Sequence, residues 1–140
     1  MFVAEHPLSC TCLAGLHILV VDDNADTLEL VSLQLHLYGA EVVTASSAAE
    51  AFQLLIHDPP DVLVSDIQMP GEDGYSFLRR VRAQSAEHGG ETPALAFTGY
   101  TSLYDQVKSR AAGFQAQLAK PVDPEDLVAA VASLAGRASV

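Results

Sequence analysis

The sequence predicts an α/β domain built on a parallel sheet, and two observations carry that expectation. Short runs rich in branched apolar residues alternate five times with segments of helical period, which is the rhythm of βα units. The runs are apolar throughout at their best, as in Ile18-Leu19-Val20-Val21, and this suits strands covered on both faces. With 140 residues, 49% apolar and 18% charged, the chain is long enough for one well-filled core and too short for two. Residues 1–15 are expected to be a mobile N-terminal tail, 16–136 the domain and 137–140 a short C-terminal tail.

The strands are expected at His17–Val21, Glu41–Thr44, Val62–Ser65, Ala94–Phe97 and Gln115–Leu118. Glu41-Val-Val-Thr44 is less apolar than the others and belongs nearer an edge. Leu28, Val31 and Leu35 form the inner stripe of the first helix, and Gly39 stands where a left-handed stop is wanted. Ser47-Ala-Ala-Glu50 reads as a capping box for the second helix, which must end before Pro59-Pro60. Tyr75, Leu78 and Val81 or Arg82 recur at helical spacing, followed by a Gly-rich loop, Glu87-His-Gly-Gly-Glu91, expected to be flexible. The fourth helix runs from about Ser102 to Gly113. The fifth has Asp123 as its cap, Pro124 in its first turn and Leu127, Ala130, Val131 and Leu134 inside.

Seven basic against eighteen acidic side chains give a formal charge of −11, a field that repels phosphate backbones and anionic lipid. Direct binding of nucleic acid or membrane is therefore not expected. Cys10 and Cys12 have neither redox nor zinc-knuckle spacing, and His6, His17, His36, His57 and His88 are scattered without ligand spacing. Before Leu16 there is no Lys or Arg and no long apolar run, which fits neither a signal peptide nor an anchor. A cytoplasmic setting is expected. Arg79, Arg80 and Arg82, and Lys108 and Arg110, read as solvated helix faces.

Chemistry in an open parallel sheet is sought at the carboxyl ends of its strands, where side chains converge on one rim. The first strand ends in Asp22-Asp23, the third in Asp66, the fourth in Thr98 and the fifth in Lys120-Pro121. Taken singly, each is an ordinary turn residue or cap. Together, three carboxylates repel by about 4 kcal/mol per close pair at an effective dielectric of 20, and such a pocket calls for a cation. Oxygen-only donors favour Mg²⁺ or Mn²⁺. A hard cation, a carboxylate nucleophile at Asp66 and a point charge at Lys120 suit phosphoryl transfer, with Thr98 able to donate to the phosphoryl group.

The segments Ile18-Leu-Val-Val-Asp-Asp-Asn24, Val62-Leu-Val-Ser-Asp-Ile-Gln-Met-Pro-Gly71 and Leu118-Ala-Lys-Pro121 resemble the hallmark blocks of response-regulator receiver domains, in order and at matching separations. The likeness runs from Leu16 to about Leu134. It implies a flavodoxin-like (βα)5 doubly wound fold with strand order 2-1-3-4-5, and a non-enzymatic signalling role in which the domain promotes its own phosphorylation and dephosphorylation. It further implies Asp66 as phosphoacceptor, Asp23 as a direct metal ligand, Asp22 acting through metal-bound water and the Gln68 carbonyl as a backbone ligand. Thr98 and Lys120 would hold the phosphoryl oxygens, with a cis Lys120–Pro121 bond. The implied partners are a histidine kinase or histidine phosphotransfer protein, with a weak homodimer through the fourth helix, fifth strand and fifth helix.

Gln117 departs from the pattern, standing where many receivers carry an aromatic switch; Tyr100 or Tyr104 are the nearby aromatics that could replace it. Leu13-Ala-Gly-Leu-His-Ile-Leu19 is similar to the start of receivers within hybrid sensor kinases, so a single-domain regulator and a piece of a hybrid kinase both stay open. A phosphorylation-independent docking module is the competing reading. An Asp-nucleophile phosphatase needs a second acid where Gln68 stands, and a flavin carrier needs a phosphate loop where Asp22-Asp23-Asn24 would repel one.

Overall fold

The structure, a computed structural model, describes residues 12–99 and 102–137. Five strands, β1 (His17–Val21), β2 (Glu41–Ala45), β3 (Val62–Asp66), β4 (Ala94–Thr98) and β5 (Ala116–Ala119), alternate with α1 (Ala25–Leu37), α2 (Ala48–His57), α3 (Gly74–Arg82), α4 (Leu103–Ala112) and α5 (Pro124–Leu134). All neighbouring strands pair in parallel in the order β2-β1-β3-β4-β5. Each expected strand is present to within a residue at either end. β2, expected near an edge, is an edge strand with Glu41, Val43 and Thr44 exposed.

The period of two along each strand divides the core between two faces. Ile18, Val20, Val62, Val64, Leu95 and Phe97 point to the side covered by α1 and α5, against Val31, Leu35, Leu127 and Val131. Leu19, Val21, Leu63, Ala94 and Ala96 point to the side of α2 and α3, against Ala51, Leu55, Phe77, Leu78 and Val81. Burying each of these large side chains contributes about 1.5–3 kcal/mol.

Helix ends follow the local chemistry of the sequence. Gly39 has φ 101° and Gly113 φ 117°, each stopping the helix before it in a left-handed turn that any side chain would strain. Ser47 caps α2 by accepting from the Glu50 N–H, but the Glu50 carboxylate turns to the N–H and hydroxyl of Ser46, so the expected box closes one residue early. A full capping box instead opens α4, between Ser102 and Asp105.

Other expectations are corrected as well. Residues 12–15 are not tail: Leu13 is fully buried under α1 and α5, its N–H donates to the Tyr38 carbonyl at 3.0 Å, and Arg137 donates to the carbonyls of Cys12 and Ala14. The Glu87–Glu91 loop is shaped, with a short 3-10 turn at Ala86–His88 and Gly89 and Gly90 buried. Arg82 is not a solvated charge. Its guanidinium, half-buried, donates to the carbonyls of Gly90, Thr92 and Gly113 and to the Gln115 amide oxygen, fastening α3 to the loops before β4 and β5. Arg80, also read as solvated, forms a bidentate pair with Glu72 and lies 4.1 Å over the Phe52 ring.

Leu13→Ala is expected to cost about 2–5 kcal/mol in a urea titration, the range for emptying a packed leucine site, where a tail residue would cost nothing. Arg82→Met is expected to cost about 2–3 kcal/mol, since it strands several carbonyls at once; a loss below 0.5 kcal/mol would return Arg82 to the surface.

Candidate functional site

The chain runs outward from β1 to β2 and then crosses back to β3, so the strand order reverses between β1 and β3. At such a switch point the connections leave on opposite sides of the sheet and open a crevice beyond the strand ends. Asp22 and Asp23 follow β1 and Asp66 ends β3 at that crevice, with Val21 and Ser65 paired in register one step earlier. One carboxylate oxygen from each of the three lies within 4.8 Å of the others, the one cluster of potential ligand groups found among the described residues.

The three acids are not equivalent. Asp22 is fully buried, with Oδ1 accepting from the Asn24 N–H at 2.8 Å and Oδ2 from Lys120 Nζ at 2.9 Å. Asp66 is 4% exposed; its Oδ1 accepts from the Ile67 N–H at 2.7 Å and lies 3.3 Å from Lys120 Nζ. Asp23 is exposed and lines an open cleft with Gln68, Met69, Pro70 and Asp73. A water-accessible acid beside two engaged ones leaves room at one side of the cluster.

Lys120 reaches the pocket from the end of β5, where its N–H donates to the Thr98 carbonyl and its ammonium also lies 4.9 Å from the Phe97 ring centre. The Lys120–Pro121 peptide is cis. Thr98 is buried at the end of β4 on the same rim. Burial pushes the Asp66 carboxyl above the ordinary carboxylate range and the Asp22 charge adds to it, while Lys120 and the Ile67 N–H only partly offset them. Burial alone would lower the Lys120 ammonium, but the Asp22 hydrogen bond and the charges of Asp66 and Asp22 outweigh it and hold it above its ordinary value. One ammonium among three carboxylates leaves an excess of negative charge, and the donors are all oxygen. A hard divalent cation fits this set; a thiol- or imidazole-seeking metal does not.

The structure thus brings Asp22, Asp23, Asp66, Thr98 and Lys120 to one rim, with Gln68 two residues beyond Asp66 and exposed on the cleft. The four described histidines are exposed and apart from it. Sequence reasoning missed that Lys120 bridges Asp22 and Asp66, because a contact across 98 positions leaves no local trace. Of the two aromatics near Thr98, Tyr100 lies outside the described residues; Tyr104 is 71% exposed on α4, its ring facing Lys108.

Comparison with known proteins agrees with this geometry. Residues 18–132 match the response regulator receiver domain family. The chain is 42% identical over 116 residues to an uncharacterized 14.6 kDa protein of Leptolyngbya boryana, covering 83% of this chain and 87% of that one. It is 37% identical to the transcriptional regulatory protein TrcR of Mycobacterium tuberculosis and 36% to the virulence sensor protein BvgS of Bordetella bronchiseptica. Those matches take in 89% and 90% of this chain but only 47% and 10% of the relatives, so the chain spans about half of one and a tenth of the other. Among solved structures, a response regulator of Chloroflexus aurantiacus superposes with a TM-score of 0.81 at 34% identity, covering 87% of this chain and 98% of that one. The chemotaxis protein CheY4 of Vibrio cholerae does so with 0.81 at 34%, covering 86% and 99%. Fold, rim and relatives together place this chain in the response regulator receiver domain family, the phosphoacceptor modules of two-component signalling.

Proposed function

We propose that this receiver takes a phosphoryl group on Asp66 from a phosphohistidine of a histidine kinase or histidine phosphotransfer protein. The observation that carries the assignment is the cluster itself: Asp66 is the acid that ends β3, is shielded from water, and has Lys120 and Asp22 beside it. The Asp66 carboxylate attacks phosphorus, a P–O bond forms, the donor N–P bond breaks, and its electron pair stays on the imidazole nitrogen. An ionised Asp66 is the competent form, and the Ile67 N–H on Oδ1 fixes its orientation.

Asp23, Asp66 and the Gln68 carbonyl would hold Mg²⁺ or Mn²⁺, with Asp22 acting through an intervening water because both its oxygens are already engaged. The cation, when bound, supplies charge neutralisation for the carboxylates and the phosphoryl oxygens. Lys120 then exchanges carboxylate contacts for a phosphoryl oxygen, and the Thr98 hydroxyl donates to another. By the same arrangement the domain promotes its own phosphorylation and, with water as acceptor, its dephosphorylation.

Output through a protein contact belongs to the same reading. Leu103, Tyr104 and Val107 stand exposed on α4, and β5 is the edge strand beside it, so α4, β5 and α5 are the surface for weak pairing with a second copy. A cytoplasmic setting accords with the histidine phosphodonor; among the described residues no helix is long and apolar enough to cross a membrane.

Intact mass after incubation with phosphoramidate and Mg²⁺ is expected to show a single phosphoryl addition, absent in Asp66→Asn and absent with a chelator. Addition to Asp66→Asn at the wild-type rate would move the acceptor elsewhere, and no addition to the wild type would leave a docking module. In metal-free buffer the same variant is expected to be more stable than wild type near neutral pH. The sign follows from the raised Asp66 carboxyl: the folded wild type holds that proton more tightly than the unfolded chain, so stability falls as pH rises through the folded value. The advantage of Asn should therefore shrink to nothing in urea titrations carried below the carboxylate range.

A further inference from the structure

We propose that Gly74 is a positioning residue for phosphoryl transfer: lacking a side chain, it lets the first turn of α3 rest on the backbone of Asp66 and Ile67 and so holds the acceptor carboxylate and the Gln68 carbonyl in one fixed relation. The proposal rests on the assignment of Asp66 as acceptor.

A Cβ built on Gly74 would overlap the Asp66 carbonyl oxygen, lie 2.8 Å from the Ile67 Cα and meet the Ile67 Cδ1 at 3.1 Å. Two of these neighbours are backbone atoms in and just after a buried strand, so they cannot swing aside as the end of a long side chain would. The glycine is not there for its conformational freedom, because its φ is outside the left-handed region that other glycines of the chain occupy. The requirement is for space alone.

What that space secures is the acceptor. The Gly74 N–H donates to the Ile67 carbonyl at 2.7 Å, closing the eight-residue connection from Ile67 to Gly74 that carries Gln68. Ile67 is also the residue whose N–H holds Asp66 Oδ1 at 2.7 Å. From the other side the Ser65 hydroxyl donates to the Asp66 carbonyl at 2.8 Å. The Asp66 carbonyl is thus pinched between Ser65 and Gly74, and displacing Ile67 would carry with it both the donor that orients the carboxylate and the start of the segment bearing Gln68. Asp73 locks the arrangement by capping α3 through the Ser76 N–H at 2.8 Å.

The test sets Gly74→Ala against Gly90→Ala in the full chain. Gly90 is at least as demanding a site, since its added Cβ would overlap the Gln84 carbonyl, but it lies before β4, at the amino ends of the strands and away from the acids. Both variants lose stability in urea. Phosphorylation by phosphoramidate at saturating Mg²⁺, corrected for the folded fraction, should fall about 10- to 100-fold in Gly74→Ala, as expected for reacting groups misplaced by an ångström, and stay within about two-fold of wild type in Gly90→Ala. The Mg²⁺ concentration for half-maximal rate should rise only in Gly74→Ala. If Gly74→Ala is too unstable to assay, Ser65→Ala, which frees the same carbonyl from its other side, should lower the corrected rate several-fold. Equal corrected rates in the two glycine variants, or a wild-type rate in Ser65→Ala where it stands in, overturn the proposal alone. A wild-type chain that takes no phosphoryl group overturns the acceptor assignment and this proposal with it.

Discussion

Everything at the rim depends on how charge is balanced where β1 and β3 end. Three carboxylates with oxygens within 4.8 Å of one another, two of them buried, would drive the strand ends apart, and the Lys120 ammonium, at 2.9 Å from Asp22 and 3.3 Å from Asp66, opposes that. The contact joins the first, third and fifth βα units, so the sheet is fastened by charge at its carboxyl end as well as by its apolar faces. Such pairs seldom add much net stability, because removing the ions from water costs nearly what their attraction returns. What they leave is an excess of negative charge, which suits a further cation.

Much of this was legible in the sequence because the relevant signals are local or periodic. The apolar runs marked five strands, Gly39 and Gly113 marked helix ends, and the acids and lysine stood at strand ends where a parallel sheet gathers them. Strand order was not a property of any local segment; it came from resemblance to receiver domains, and the pairing bears it out. Arg82 and Leu13 were misread for the same reason. An arginine on a helix and a leucine near a terminus look solvent-facing until the elements that surround them are placed, and those elements come from distant parts of the chain. Gly74 left a faint signal in Asp73-Gly74, a cap followed by the smallest residue, but the neighbour that forbids a side chain is the backbone of β3 and not anything adjacent.

The segment between Ile67 and Gly74 gathers several of these restraints. It is tied at one end by the Gly74 N–H, at Glu72 by Arg80, which also packs on Phe52 of α2, and next to it Tyr75 donates to the Asp105 carbonyl of α4 at 3.5 Å. Lys108 of α4 lies 5.0 Å from the Tyr75 ring. The start of α3, next to this segment, is therefore in direct contact with α4.

The clasp of Arg137 on the carbonyls of Cys12 and Ala14 brings the polypeptide into and out of the folded unit at one corner. Because β1 starts there and α5 finishes there, that corner lies at the amino edge of the sheet, across the whole length of the strands from the acids. A unit whose described ends meet away from the acidic rim can be threaded into a longer polypeptide like a bead. Ends that meet at one corner suit a unit that matches only part of a longer relative.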